Sequence, residues 1–358
     1  MYDARYCRAG RFSGPEHDID HDGEQPIRRG PVLINYGLPR DVHNILIVRL
    51  GAMGDIIHAL PAVALLKSRF PAASITWVVE PKWAPLIQDN GIVDKVVLFH
   101  RHQPATWNRT RQELRTVRYD LAVDFQGLIK SALVAHFAAP ERIVGYAAAV
   151  VRERPASWFY SACVTTNAAH VVDQALDLAA SAAGTPADRT PHTFAIPAGE
   201  PEGTLPDQPF VLACPLAGWT SKQWPLEYYQ TLAGMIRSQL GMPMVLNCAP
   251  SSLPQVAWAQ RHESGIPGLI DATRRAALVV GVDSGPLHLA AALGKSGVAI
   301  FGPTNPERNG PRGGDFEIFR TPGVETTHRR GNTIDTSMRA ITPEQVFGAI
   351  ATRVGCHA

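Results

Sequence analysis

Asn44-Ile45-Leu46-Ile47-Val48-Arg49-Leu50-Gly51-Ala52-Met53-Gly54-Asp55-Ile56-Ile57-His58 carries the decision about the fold. Ile45 to Val48 is a short β-branched apolar run, which reads as a buried strand. Gly51 and Gly54 then let the chain turn sharply and let a ligand approach the backbone. Ile56 to Phe70 reads as a helix, with Pro61 expected to break or restart it because proline cannot donate to the preceding turn. The spacing is G-x-x-G-D, so the G-x-G-x-x-G dinucleotide fingerprint is not met. Asp55 has two readings at this helix start: an N-cap, or a general base at the mouth of a cleft.

The same strand-turn-helix order repeats outward. Ser74 to Val79 and Lys95 to Phe99 read as strands, Ala105 to Arg118 as a helix, Leu121 to Asp124 as a strand, and Leu128 to Phe137 as a helix. Between Ile196 and Pro209, Pro197, Pro201, Pro206 and Pro209 with Gly199 and Gly203 read as a linker. The alternation then resumes. Strands are expected at Phe210 to Ala213, Met244 to Leu246, Ala277 to Val282 and Val298 to Phe301, and helices at Leu226 to Gln239 and Leu287 to Leu293. Thr342 and Pro343 look like the N-cap and first residue of a last helix. The pattern predicts an α/β protein of two doubly wound halves, with a ligand cleft where the strands' carboxyl ends face each other.

Three further motifs fall at such strand ends. In Asp124-Phe125-Gln126-Gly127-Leu128-Ile129-Lys130-Ser131, Asp124 and Gln126 could bond sugar hydroxyls and Lys130 could meet an anion. Strand-end turn chemistry and a surface lysine explain the same residues. Thr220, Ser221 and Lys222, ahead of Trp224-Pro225, offer two hydroxyls and a point charge suited to a phosphate. In Gly281-Val282-Asp283-Ser284-Gly285-Pro286-Leu287-His288, the free amides of a helix start make an anion site. There Ser284 can be cap, phosphate ligand or both. Asp283 suits ligand hydroxyls or loop orientation, and His288 faces either ligand or core.

The 358 residues are enough for two domains. Lys plus Arg is 34 and Asp plus Glu 32, a net charge of 34 − 32 = +2, which argues against a protein that coats nucleic acid. Only six of the basic residues are lysines, two of them Lys130 and Lys222 inside the motifs. Five scattered cysteines without a C-x-x-C pair fit a reducing cytoplasm and argue against a zinc or disulfide framework. No apolar run reaches the length of a membrane span. Glu16 to Asp22 reads as a solvated acidic tail rather than a metal site. Arg111, Arg115 and Arg118 share a helix face, which suits either solvent or the phosphates of a membrane surface.

Taken together, the Ile45-to-His58 turn, Asp124 to Ser131, Lys222 to Pro225 and Gly281 to Ala291 resemble the ADP-heptose:lipopolysaccharide heptosyltransferases, inverting glycosyltransferases of family 9. The likeness runs from Asn44 to about Ile350, and the D-x-Q-G-L-x-K-S form is closer to the heptosyltransferase I branch. It implies a GT-B fold, two Rossmann-like domains facing a central cleft. Residues 1–43 would be a polar extension, 44–200 the acceptor domain, 201–325 the ADP-sugar domain, and 326–358 a tail whose helix returns to the first domain.

The resemblance further implies that Asp55 is the catalytic base and that Lys222 contacts the donor phosphates and stabilises departing ADP. Thr220, Ser221, Asp283, Ser284, Gly285, Leu287 and His288 would bind ADP-heptose. Gly54, Asp55, Asp124, Gln126 and Lys130 would bind a Kdo-lipid A-type acceptor at the inner membrane surface. No metal or tightly bound cofactor is implied, and a cytoplasmic enzyme is expected. Its competitors are a family member with another acceptor or donor, and a non-catalytic sugar-nucleotide binder, which retained Asp55 and Lys222 argue against.

Overall fold

Strands whose side chains are apolar on both faces must be covered on both faces, and that is how each sheet is built. The computed structural model describes residues 41–188, 193–249, 255–327 and 330–357; the acidic stretch Glu16 to Asp22 and most of the 1–43 extension lie outside them. The first sheet contains β1 (Asn44–Val48), β2 (Ser74–Val79), β3 (Lys95–Leu98), β4 (Leu121–Asp124), β5 (Arg142–Tyr146) and β6 (Ala162–Val164). The second contains β7 (Val211–Cys214), β8 (Met244–Cys248), β9 (Ala259–Glu263), β10 (Leu278–Val282), β11 (Ser296–Phe301) and β12 (Asp315–Arg320). Their orders are β3-β2-β1-β4-β5-β6 and β12-β11-β10-β7-β8-β9. Every neighbouring pair is parallel.

Both orders reverse direction once, between β1 and β4 and between β7 and β10. A crevice opens at such a switch point because the connections on its two sides leave in opposite directions. All four sequence motifs follow one of those four strands.

The helices are α1 (Met53–Arg69), α2 (Trp107–Leu114), α3 (Ile129–Phe137), α4 (Val171–Ala183), α5 (Leu226–Met235), α6 (Ile266–Arg275), α7 (Gly285–Ala292) and a C-terminal helix, Pro343–His357. On one face of the first sheet, Leu60, Val63 and Leu66 of α1 pack with Leu176 and Ala179 of α4. On the other, Leu114 of α2 and Ala132 and Ala135 of α3 pack with Leu46 and Val48. The α1 core continues into the second half through Phe210, Leu212, Val279 and Leu289. The linker is pinned by Arg274, whose guanidinium donates to the carbonyls of Ile196, Pro197 and Ala198 at 2.8–3.1 Å.

Several expectations are corrected. Helix α1 runs unbroken through Pro61, which is buried in its middle. The predicted 105–118 helix ends at Leu114, where Arg115 turns to donate to the Phe137 carbonyl at 2.9 Å. The last helix does open on a reciprocal Thr342–Gln345 capping pair. It does not return to the first half. Val346, Ala349 and Ile350 pack with Tyr229, Leu232 and Ile236, so its apolar face closes the second core instead. Short or weakly patterned elements, β5, β6, α4, β9, α6 and β12, were not anticipated.

Candidate functional site

A cleft of about 890 Å³ lies between the two switch points. Its wall on the first half includes Arg49, Gly54, Asp55, His58, Gln126 and Arg152; that on the second includes Trp219, Lys222, Asp283, Ser284, Gly285 and His288.

The floor is set by the contact of α1 with α7. A Cβ on Gly54 would stand 2.7 Å from His288 Cδ2, and one on Gly285 would stand 2.6 Å from Met53 Cβ. Only glycine at both positions lets the two helix starts meet this closely. The glycines of two distant motifs thus serve one closed arrangement.

Asp55 sits at N3 of α1, where it accepts from the Ala52 N–H at 3.4 Å. Arg49 Nη2 is 2.5 Å and Arg152 Nη1 3.7 Å from the same oxygen, Oδ2. Oδ1 has no partner among the described residues, and the side chain is 37% exposed. One carboxylate edge is therefore held and the other is presented to the cleft. The N-cap position itself is held by Ala52, so Asp55 is not the cap residue; it braces the cap's N–H with Oδ2 and leaves Oδ1 on the cleft side.

Across the cleft, Lys222 Nζ donates to Asp283 Oδ2 at 3.0 Å and lies 4.9 Å from the centre of the Trp219 ring. His288 Nε2 is 3.5 Å from Asp283 Oδ1. Burial alone would push the Asp283 carboxyl up; contact with His288 and the Lys222 charge outweigh it and hold it well below the usual carboxylate range. Asp283 is thus a fixed anion that aims Lys222. An ammonium carries three donors, so Lys222 keeps capacity for a second anion. Ser284 is the N-cap of α7, yet its side chain makes no cap hydrogen bond. Its Oγ is buried without a partner among the described residues. A buried hydroxyl beside free helix amides is a ready seat for a phosphate oxygen.

Three histidines meet below this point. His58 of α1 stacks edge-on with His288 at 4.3 Å and with His170 at 5.9 Å between ring centres. Burial, then the neighbouring His288, His170 and Arg49, hold the His58 imidazole well below its usual range, which keeps it neutral. His170 caps α4 by accepting from the Val172 N–H at 3.2 Å and reaches the Gly310 carbonyl at 3.1 Å.

The structure thus brings Gly54, Asp55, Gln126, Lys222, Asp283, Ser284, Gly285 and His288 to one cleft. It places the other expected residues elsewhere. Asp124 is fully buried and its carboxylate accepts from Gln126 N–H (2.8 Å), Gly127 N–H (3.2 Å), Ser131 Oγ (2.8 Å) and Tyr160 Oη (2.8 Å). With both oxygens engaged it organises the β4 turn and does not face a sugar. Burial pushes its carboxyl up, and those hydrogen bonds oppose the shift. Gln126 spends its carbonyl on the Leu50 N–H at 2.7 Å.

Lys130 leans over the Trp107 ring at 5.6 Å, off the cleft wall. Thr220 and Ser221 also lie off the wall, and Leu287 packs into the core with Ala299 and Phe301. Arg49 and His58 stood inside a quoted motif with no role assigned: Arg49 acts on Asp55 of its own half, and His58 acquires its partner His288 from the other. Trp219 stood at the head of the Thr220-to-Lys222 motif with no role assigned, and Arg152 belongs to a loop without periodicity, so no sequence signal marked it.

The family model for glycosyltransferase family 9 (heptosyltransferase) matches residues 107–335. Lipopolysaccharide heptosyltransferase 1 of Pseudomonas aeruginosa is 27% identical over 288 residues, 75% of this chain and 81% of that protein. Its namesake in Escherichia coli K12 is 29% identical over 318 residues, 83% and 97% of the two chains. The solved structure of E. coli heptosyltransferase WaaC with ADP-2-deoxy-2-fluoro heptose superposes with a TM-score of 0.70 at 25% identity, covering 86% of this chain and 99% of that one. With the paired parallel sheets, the cleft between their switch points and a family match over most of its length, the chain belongs to glycosyltransferase family 9, the heptosyltransferases.

Proposed function

We propose that this chain is an inverting heptosyltransferase that moves heptose from ADP-heptose to the Kdo of the lipopolysaccharide inner core, working in the cytoplasm at the inner membrane. The observation that carries the reading is the opposition of two sets of groups across one cleft. A carboxylate with one free oxygen, Asp55, stands on one wall; a lysine and a helix start suited to a diphosphate stand on the other. The relatives named heptosyltransferase 1, and the heptose-nucleotide analogue bound in one of them, support the choice of donor and acceptor.

In this reading Asp55 Oδ1 takes the proton of an acceptor hydroxyl as its oxygen attacks the anomeric carbon. The carbon–phosphate oxygen bond breaks on the opposite side, and ADP leaves with the electron pair. Arg49 and Arg152 hold the carboxylate in line. Lys222, aimed by Asp283, and the α7 amides with Ser284 stabilise the charge that develops on the diphosphate, a positioned electrostatic effect rather than proton transfer. Gln126, through its amide nitrogen, and Gly54 border the acceptor side, while Gly285 and His288 border the donor. Asp124, Lys130, Thr220, Ser221 and Leu287 act from behind the wall. Closure of α1 on α7 keeps water from the donor. The test is a transfer assay with purified protein. Asp55→Ala is expected to lose transfer while ADP-heptose affinity is retained, and a mutant that turns over at the wild-type rate would remove Asp55 from the role of base.

A further inference from the structure

One surface beside the cleft combines exposed apolar side chains with arginines that form no ion pair among the described residues. The outer layer of the first half consists of α2, α3 and the 3-10 turn Arg154–Phe159, all packed on the face of the sheet opposite α1. Trp158 in that turn is 77% exposed, and Ile129 at the start of α3 and Val150 are exposed as well. Trp158, Ile129 and Val150 together leave an apolar patch open on this layer, and a patch marks an interaction site where a lone side chain would not. Arg109, Arg111 and Arg154 project from the same layer and form no ion pair among the described residues, whereas Arg118 and Lys95 are paired with Glu141 and Glu113. The patch is continuous with the active cleft, because Val150 and Arg152 belong to its wall and lead directly into the Arg154 turn.

We propose that this layer is the docking face for an anionic phospholipid surface, with Trp158 as its interfacial anchor. Tryptophan pairs an apolar ring with an N–H donor and settles at the level of headgroups, and unpaired arginines add attraction to anionic lipids. Docked this way, the lip formed by Val150 and Arg152 stands at the membrane, where a lipid-linked sugar can enter without leaving the bilayer. The purpose of the surface rests on the proposed lipid-linked acceptor; the binding does not.

The experiment is sedimentation of the full-length protein with vesicles of phosphatidylethanolamine and phosphatidylglycerol, against phosphatidylcholine alone, with no donor or acceptor present. Binding to the anionic vesicles, weakened by salt, is expected. Trp158→Ala should weaken it roughly tenfold, and Arg109→Ala and Arg111→Ala about fivefold each. Transfer to a deacylated, water-borne acceptor should stay at the wild-type rate in all three. Absent binding, binding that the variants leave unchanged, or a change of oligomeric state in Trp158→Ala, which would mean that a second copy covers the patch, each overturns the proposal. Because vesicle binding is read without substrates, a protein that binds vesicles but transfers no heptose refutes the transferase reading and leaves the docking face standing.

Discussion

Replacing Asp124 by Asn separates a structural carboxylate from a sugar ligand. The amide oxygen can still accept from the N–H groups of Gln126 and Gly127, which now bond Oδ1 at 2.8 and 3.2 Å. The amide nitrogen replaces Oδ2, and it cannot accept from Ser131 Oγ and Tyr160 Oη, both now 2.8 Å away. Ser131 Oγ keeps an acceptor in the Leu128 carbonyl at 2.8 Å, so the loss falls on the Tyr160 hydrogen bond to a charged acceptor, worth about 1.5–3 kcal/mol. A neutral amide is cheaper to bury than a carboxylate, which moves the expectation to the lower end of that range. For a unit of this size, about 1.5–2 kcal/mol lowers Tm by roughly 3–8 °C. The assay is thermal unfolding beside steady-state kinetics on the same preparation. The expected result is a lower Tm with little change in acceptor KM. An unchanged Tm with a raised acceptor KM would refute the reasoning and return Asp124 to the acceptor site.

Gly285→Ala drives a methyl against the root of Met53, where the side chain cannot swing aside. Overpacking of about 1–3 kcal/mol on the closed arrangement should lower kcat/KM roughly 5- to 150-fold. Met53→Gly in the same chain, which removes the Cβ at the clash, should restore much of the loss, and no recovery in the double variant would place the fault in donor binding instead. The His58 cluster predicts a pH effect. Its folded pKa is depressed, so its contribution to stability is fully present above the ordinary histidine value and is lost as pH falls through the folded one. Denaturant midpoints should drop between about pH 7 and pH 5, and His58→Phe should flatten that slope. An identical slope in the variant would assign the effect to other groups.

Much of the site was legible because its residues sit next to backbone features that sequence reveals. Gly54, Asp55, Ser284 and Gly285 each follow a strong strand and open a helix, so spacing alone brought them to a strand end. Lys222 stood out among six lysines. Asp124 was misjudged for a physical reason. A strand-end Asp can turn inward to hold its own loop or outward to hold a ligand, and only the position of Tyr160, far along the chain, decides which. Arg152, Trp219 and His170 reach the site from loops and caps whose local sequence carries no period. The destination of the last helix was a matter of tertiary packing: its apolar stripe at Val346, Ala349 and Ile350 fits either half, and the free face of α5 took it. Pro61 was read by its local cost, which the α1–α4 packing overrides.

The central claim is the chemistry across the cleft, and its most direct measurement is the rate of sugar transfer by the purified chain over a panel: ADP-heptose, ADP-glucose and UDP-sugars, each offered to Kdo-lipid A and to its heptosylated product. The account predicts transfer from ADP-heptose to Kdo-lipid A with inversion at the anomeric carbon, well above every other combination. Preference for the heptosylated acceptor or for another nucleotide sugar, or release of free sugar without transfer, would contradict it.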